Sequence, residues 1–315
     1  MSSLTRSETA QWLLTHDNFL ILTHRRPDGD TLGSAAFLCL GLRQLGKTAH
    51  ILENPEITEK YAHLHVGLTL PEAQPEHTIV CVDTASAGML PAAFAHLQPQ
   101  IALRIDHHGT ATPFTPLELV DPAASACGDV LYDVVTEMGA KLDVPMSNAL
   151  YTAVSTDTGC FRYANTNAHS HLVAAACCEA GGDLFGLNQM LFDTNSLARL
   201  RLQGWLVENA LFLQEGKVVI CPLPRATEEA LGVTEDDMEN ISGFPRSIAG
   251  VKIAATLRQE ASGKIKLSVR SVPDYDAGAI CATFGGGGHR GAAGASMDMT
   301  MEEAVEAVKA AIPQI

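Results

Sequence analysis

The sequence has no run of about 18 uninterrupted apolar residues, so no membrane span is expected. Its opening, MSSLTRSETAQWLLTHDNFL, lacks the basic start and apolar centre of a signal peptide and reads as a short amphipathic helix. Basic charge is in deficit: 21 Lys and Arg face 36 Asp and Glu, for a formal net charge of −15 and a pI near 5.1. That balance argues against a protein that grips long duplex nucleic acid through a basic face. It leaves room for a short phosphorylated substrate, because bound divalent cations supply local positive charge. No C-x-x-C pair occurs among the 8 cysteines, and only Cys177 and Cys178 are adjacent. Buried reduced thiols in a cytoplasmic protein fit that scatter better than structural disulfides do.

What is present is enough apolar residue, 46% of 315, for one large or two medium domains. The most informative stretch is LRIDHHG, Leu103 to Gly109. An apolar run from Ile101 to Ile105 reads as a buried strand, and Asp106, His107 and His108 stand at its carboxyl end. Ligands bind at such strand ends in open α/β sheets. Alone, D-H-H reads more readily as a polar turn than as a site. Phe19 to Thr23 is a second buried strand, followed by His24, Asp28 and Asp30 and then a helix from near Thr31 to Leu45. Histidine and aspartate in that loop suit a divalent metal, though Asp30 also fits a helix cap. Thr78 to Val82 is a further strand with Asp83 at its end; Ala49 to Leu52 and Leu117 to Val120 complete the set. Alternation with helical stretches such as Ser86 to His96 predicts a mostly parallel sheet with crossover helices. Helices follow at Ser125 to Met138 and Ser147 to Ser155, the latter running into Asp157. A carboxylate near a helix C-terminus opposes the dipole, so a neighbouring cation or plain solvation must offset it. Asn165 and Thr166 read as the cap of the next helix. On that helix His169 and His171 point about 200° apart and are no ligand pair.

Beyond residue 190, Thr194 to Gln214 reads as a long connecting helix. The remainder predicts a smaller α+β domain. It has a strand at Lys217 to Cys221 and short acidic helices at Glu228 to Leu231 and Glu235 to Ile241. A GFPRS loop, a hairpin of Val251 to Leu257 with Lys264 to Val269, and a helix at Ala277 to Phe284 follow. The expected division is 1–190, a linker helix 191–214, and 215–315. Gly285, Gly286, Gly287 and Gly288 precede His289. Four successive glycines are costly in entropy and suit a backbone whose N–H groups face an anion; a flexible loop is the alternative. Arg270 is a candidate phosphate fork.

Taken in order, THRRPDGD, CVDTAS, IDHHG, STDTGCF, SVRS and FGGGGH resemble the DHH phosphoesterases that carry a C-terminal DHHA1 domain. Within that superfamily the resemblance is to the stand-alone oligoribonuclease and pAp phosphatase branch, pAp being 3′-phosphoadenosine-5′-phosphate. It implies a two-metal site, usually Mn²⁺, with Mg²⁺ or Co²⁺ as alternatives. His24, Asp28 and Asp83 would hold one ion and Asp30, Asp83, His107 and Asp157 the other, with Asp83 bridging. His108 would contact the scissile phosphate or assist proton transfer, and Asp106 would orient an imidazole. Arg270, the glycines and His289 would hold the substrate's other phosphate. The implied activity is hydrolysis of very short RNAs, linear dinucleotides such as pApA and pGpG, or pAp to nucleoside monophosphates, by a cytoplasmic protein that could pair as a homodimer. Pyrophosphatase, exopolyphosphatase and single-strand exonuclease are alternatives within the superfamily, and a non-catalytic nucleotide receptor is the alternative outside it.

Overall fold

The structure, a computed structural model, describes residues 2–315. The chain divides into two compact units, one up to Thr194 and the other Asn195–Ile315. In the first unit seven strands, β1 (Ser2–Ser3), β2 (Phe19–Leu22), β3 (Ala49–Leu52), β4 (Thr69–Leu70), β5 (Thr78–Val82), β6 (Ile101–Asp106) and β7 (Leu117–Val120), form one sheet. Their order is β1-β7-β6-β5-β2-β3-β4, and every neighbouring pair is parallel. Its helices are α1 (Arg6–Thr15), α2 (Gly29–Gln44), α3 (Glu59–Ala62), α4 (Cys127–Glu137), α5 (Val144–Asp157), α6 (Ala168–Glu179) and α7 (Leu184–Asn188).

The apolar, unalternating sequence of β2 follows from burial on both faces, the usual condition of a central parallel strand. Phe19 and Ile21 pack toward α1, α2, α4 and α5. Leu20 and Leu22 point the other way, onto Leu90, Phe94 and Leu97. From β2 the chain runs outward through β3 and β4, then returns to β5 on the opposite side of β2 and runs outward again. The ends of β2 and β5 are therefore the topological switch point, where a crevice opens at the carboxyl edge of such a sheet.

Several expected elements differ in extent. The stretch after β5 is not an α-helix but two 3₁₀ segments, Ala87–Met89 and Ala92–Gln100. Pro91 and Pro99 withhold backbone donors there. Helix α5 begins earlier than expected because Asp143 caps it and Pro145 occupies its first turn. The cap of α6 is Asn167, in a reciprocal capping box with Ser170, so Asn165 is free for another use. No disulfide forms: all eight cysteines are free and six of them buried.

The second unit contains α8 (Leu197–Glu208), β8 (Leu211–Leu213), β9 (Val218–Leu223), α9 (Arg225–Leu231), α10 (Glu235–Met238), β10 (Ile253–Gln259), β11 (Ile265–Ser271), α11 (Ala277–Ala282), β12 (Gly287–His289), β13 (Ala292–Met297) and α12 (Met301–Ala311). Its six-stranded mixed sheet has the order β12-β13-β11-β10-β9-β8. The expected helix from Thr194 to Gln214 stops at Glu208, because Leu211–Leu213 pairs antiparallel with β9 as an edge strand. Leu202 and Leu206 of α8 pack with Val219 and Cys221, so this helix is part of the second unit's core. The acidic helix α10 ends at Met238, and Asn240 follows in a left-handed conformation. No helix of the described residues is long and apolar enough to cross a membrane.

Helices α2 and α5 touch backbone to backbone at Gly33. A Cβ there would overlap the carbonyl of Ala149 and lie 2.8 Å from the nitrogen of Ala153. Gly33→Ala should gain about 1 kcal/mol of helix propensity but lose about 1–3 kcal/mol to overpacking. A lower thermal midpoint is expected, and an unchanged or raised midpoint would show that the two helices do not press together as described.

Candidate active site

Each group of the site stands at an element end, where the backbone aims it into the crevice. His24 follows β2 and is buried. Its Nδ1 lies 2.8 Å from the carbonyl of Arg25, which can only accept, so Nε2 is the atom turned toward Asp28 (3.7 Å) and Asp83 (3.4 Å). Asp28 caps α2, accepting from the backbone N–H groups of Asp30 and Thr31. Asp30 sits one turn-entry later and is buried. Its carboxylate accepts from the Ser34 hydroxyl at 2.9 Å and from the backbone of Cys127 at 2.7 Å and Gly128 at 3.1 Å. Ala126, the cap position of α4, offers no side chain to its own helix. Asp30 supplies the missing acceptor from α2, and the positive end of the α4 dipole favours its charge.

Asp83 is the centre of the group. It follows β5 with φ +51°, a left-handed conformation that for a non-glycine residue costs on the order of 1–3 kcal/mol and is characteristic of functional turns. Oδ2 faces His24, while Oδ1 lies 3.5 Å from both His107 Nε2 and His108 Nδ1. Oδ1 is buried and accepts no hydrogen bond. His107 Nε2 is also 3.6 Å from Asp30 and 3.7 Å from Asp157. Asp157 ends α5, and the Asn165 amide donates to its carbonyl at 3.1 Å. Asp106, at the end of β6, accepts on one oxygen from the backbone N–H of His107 and from Nδ1 of His108 at 2.8 Å. Asp106 thus engages Nδ1 of His108, leaving its Nε2 for another partner.

Three overlapping sets of groups lie close enough to hold metal ions: His24, Asp28 and Asp83; Asp30, His107 and Asp157; and Asp83, His107 and His108. All six metal-ligand candidates named from the sequence therefore converge, with Asp83 beside both imidazoles. A cation fits here on two counts. The unpartnered, buried Asp83 Oδ1 lacks the bond that such an oxygen requires, and an oxygen-rich set with two imidazoles suits borderline and hard divalent ions.

Electrostatics point the same way. Burial opposes charge on His24, but the neighbouring carboxylates of Asp28 and Asp83 override it and push its pKa up to about 11. His107 is likewise disfavoured by burial, yet Asp83, Asp30 and Asp157 raise it to about 11. Burial would raise Asp83, but the two imidazoles hold it well below the usual carboxylate range. Burial, with the charges of Asp83 and Asp28, lifts Asp157 to about 7 against the pull of His107. Asp30 is raised by burial and by Asp83.

In the second unit Arg270, on β11, and His289, on β12, both pair with Ala292 of the intervening β13. Directly opposed residues share a sheet face, so the two lie in line on one face with only a methyl group between them. The glycine run is not an open loop. Gly287, Gly288 and His289 form the edge strand β12. The glycines at 286 and 288 are required by close approach to β13: a Cβ on Gly286 would lie 2.5 Å from that of Ala295, and one on Gly288 would lie 2.6 Å from the carbonyl of Ala292. Much of the run is thus explained by hairpin packing. The residue that sequence reasoning missed is Arg104, read as part of an apolar strand; it is fully buried behind Asp106. Its signal was present as the one charge inside Ile101–Ile105.

A parallel α/β unit with clustered carboxylates and imidazoles at its switch point defines a candidate divalent-metal site. Residues 18–156 match the DHH family, N-terminal domain, and residues 216–314 the DHHA1 domain. The sequence is 31% identical, over 92% of this chain and 88% of the relative, to a bifunctional oligoribonuclease and PAP phosphatase of Thermus thermophilus. A protein of the same description from Bacillus subtilis is 25% identical over 93% of each chain. Among solved structures, an exopolyphosphatase-related protein from Bacteroides fragilis superposes with a TM-score of 0.87 at 24% identity, covering 97% of this chain and 94% of the other. The chain belongs to the DHH–DHHA1 phosphoesterase family. Enzymes of this family use divalent metal ions.

With the neighbouring carboxylates raising His24 and His107 far above the ordinary imidazole range and burial raising Asp157 toward neutrality, metal binding should expel protons. Mn²⁺ affinity should rise steadily between about pH 6 and 9. Calorimetric titrations in two buffers of different ionisation enthalpy should report net proton release at pH 7. Identical heats in both buffers would contradict these ionisation states.

Proposed function

We propose that this chain hydrolyses very short oligoribonucleotides, linear dinucleotides of the pApA and pGpG type, or pAp to nucleoside monophosphates, using two divalent ions, Mn²⁺ by preference. The observation that supports the reading is the convergence of His24, Asp28, Asp30, Asp83, His107 and Asp157 into overlapping groups able to hold divalent ions, in a chain that aligns along nearly its whole length with oligoribonuclease and PAP phosphatase relatives. Likeness to the exopolyphosphatase-related protein speaks for the fold only. A non-catalytic receptor has little in its favour, since no ligand position is lost.

His24, Asp28 and Asp83 would hold one ion, and Asp30, Asp83, His107 and Asp157 the other. Bound there, a pair of divalent ions supplies Lewis-acid chemistry: an acidified water and neutralisation of charge at phosphorus. The residues of the chain do the rest. Asp83, held in its left-handed turn, presents one oxygen to each side of the group. His108, with Nδ1 engaged by Asp106, offers Nε2 to the phosphate or to the leaving oxygen. Arg270, with Gly285 to Gly288 and His289, would bind a phosphate group of the substrate. The free thiols agree with a cytoplasmic setting.

A chromatographic time course with pApA, pGpG, pAp and a longer oligoribonucleotide tests this directly. Mononucleotide should appear with Mn²⁺ and stop on addition of a chelator. Binding of these compounds without turnover would point to the receptor instead. His289→Ala should raise KM about tenfold and change kcat little, since it removes ground-state binding. An unchanged KM would take the second unit's phosphate grip out of the account.

A further inference from the structure

Arg104 is the largest side chain that is fully buried among the described residues, with 1% of its surface exposed. It stands two residues before Asp106 on β6, so both project from the same sheet face. Glu118 is its direct neighbour on β7. The guanidinium lies 3.1 Å from a Glu118 oxygen and 3.6 Å from Asp106 Oδ2, an oxygen that accepts no hydrogen bond. Its Nη1 also donates to the carbonyls of Thr84 at 3.2 Å, Ala85 at 2.9 Å and Thr112 at 3.4 Å. The Phe114 ring covers it, 5.0 Å from the guanidinium carbon.

A buried ion pair is a poor device for stability alone, since apolar residues of the same volume frequently serve as well. What distinguishes this one is where its bonds go. Thr84 and Ala85 are the two residues after Asp83, whose left-handed backbone needs surrounding structure to hold it. Thr112 lies in the segment that follows His107 and His108, and Glu118 fastens the same segment by accepting from the backbone of Phe114 at 3.0 Å. Asp106, the third group reached, carries His108. One planar cation with donors in a fixed fork thus ties the Asp83 turn, the D-H-H turn and the loop beyond it to one strand.

We propose that Arg104 is a positioning residue for the phosphoester hydrolysis: from behind the sheet it fixes the aim of Asp83 and, through Asp106, of His108, without touching substrate. The inference rests on the hydrolase reading given above. Removing such a supporting partner costs about 10- to 100-fold in activity or metal affinity where it has been tested in general.

The test uses the full chain with Arg104→Met, Arg104→Lys, and the charge-balanced pair Arg104→Met with Glu118→Gln. Circular dichroism melts report folding, steady-state kinetics on pApA with Mn²⁺ report kcat and KM, and calorimetry reports Mn²⁺ binding without substrate. The balanced pair should melt close to the parent protein, yet show kcat lower by about 10- to 100-fold, KM within about threefold and weaker Mn²⁺ binding. Arg104→Lys should recover part of kcat, since it restores the charge but not the fork. Parental kcat and Mn²⁺ affinity in the balanced pair would overturn the proposal, as would a loss in KM alone. If Arg104→Met does not fold, the balanced pair and the lysine variant decide. If the parent protein leaves pApA intact, the hydrolase reading fails while Mn²⁺ calorimetry still judges Arg104.

Discussion

Four aspartates crowded around two imidazoles at the carboxyl edge of the sheet are the constraint on which everything else in the first unit depends. Two like charges 4 Å apart repel by about 4 kcal/mol at an effective dielectric of 20, so such a group cannot stay fully ionised without cations in its midst. His24 and His107 become imidazolium ions with pKa values near 11, and Asp157 is driven up to about 7. Divalent ions bound there would replace those protons with more charge at the same place.

Holding the aspartates there takes most of the fold. The switch between β2 and β5 brings His24 and Asp83 to adjacent strand ends. The glycine contact between α2 and α5 lets Asp30 and Asp157 approach each other. The uncapped start of α4 is closed by Asp30 itself. Behind the sheet, Arg104 joins the two turns that carry Asp83 and the histidine pair.

The parts legible in the sequence were those in which an apolar strand ends abruptly in acidic or imidazole groups. His24, Asp28, Asp30, Asp83, His107 and Asp157 all have that signature or lie at a helix stop, and the structure brings all six together. The parts that were not legible depend on partners distant in the chain. Arg104 looks like an interruption of a strand until Glu118 and the carbonyls of Thr84 and Ala85 are placed beside it. Gly286 and Gly288 look like a loop until β13 is seen pressing on them. Leu211 to Leu213 continues a helical pattern and becomes a strand only because β9 has an edge to offer. Periodicity reports which face a residue buries; it does not report which backbone will come near.

The most direct measurement is anomalous diffraction at the manganese edge from crystals grown with Mn²⁺. The account predicts two peaks about 3.5–4 Å apart, with Asp83 shared between them, His24 and Asp28 on one and Asp30, His107 and Asp157 on the other. A single peak, or two that do not share Asp83, would contradict it.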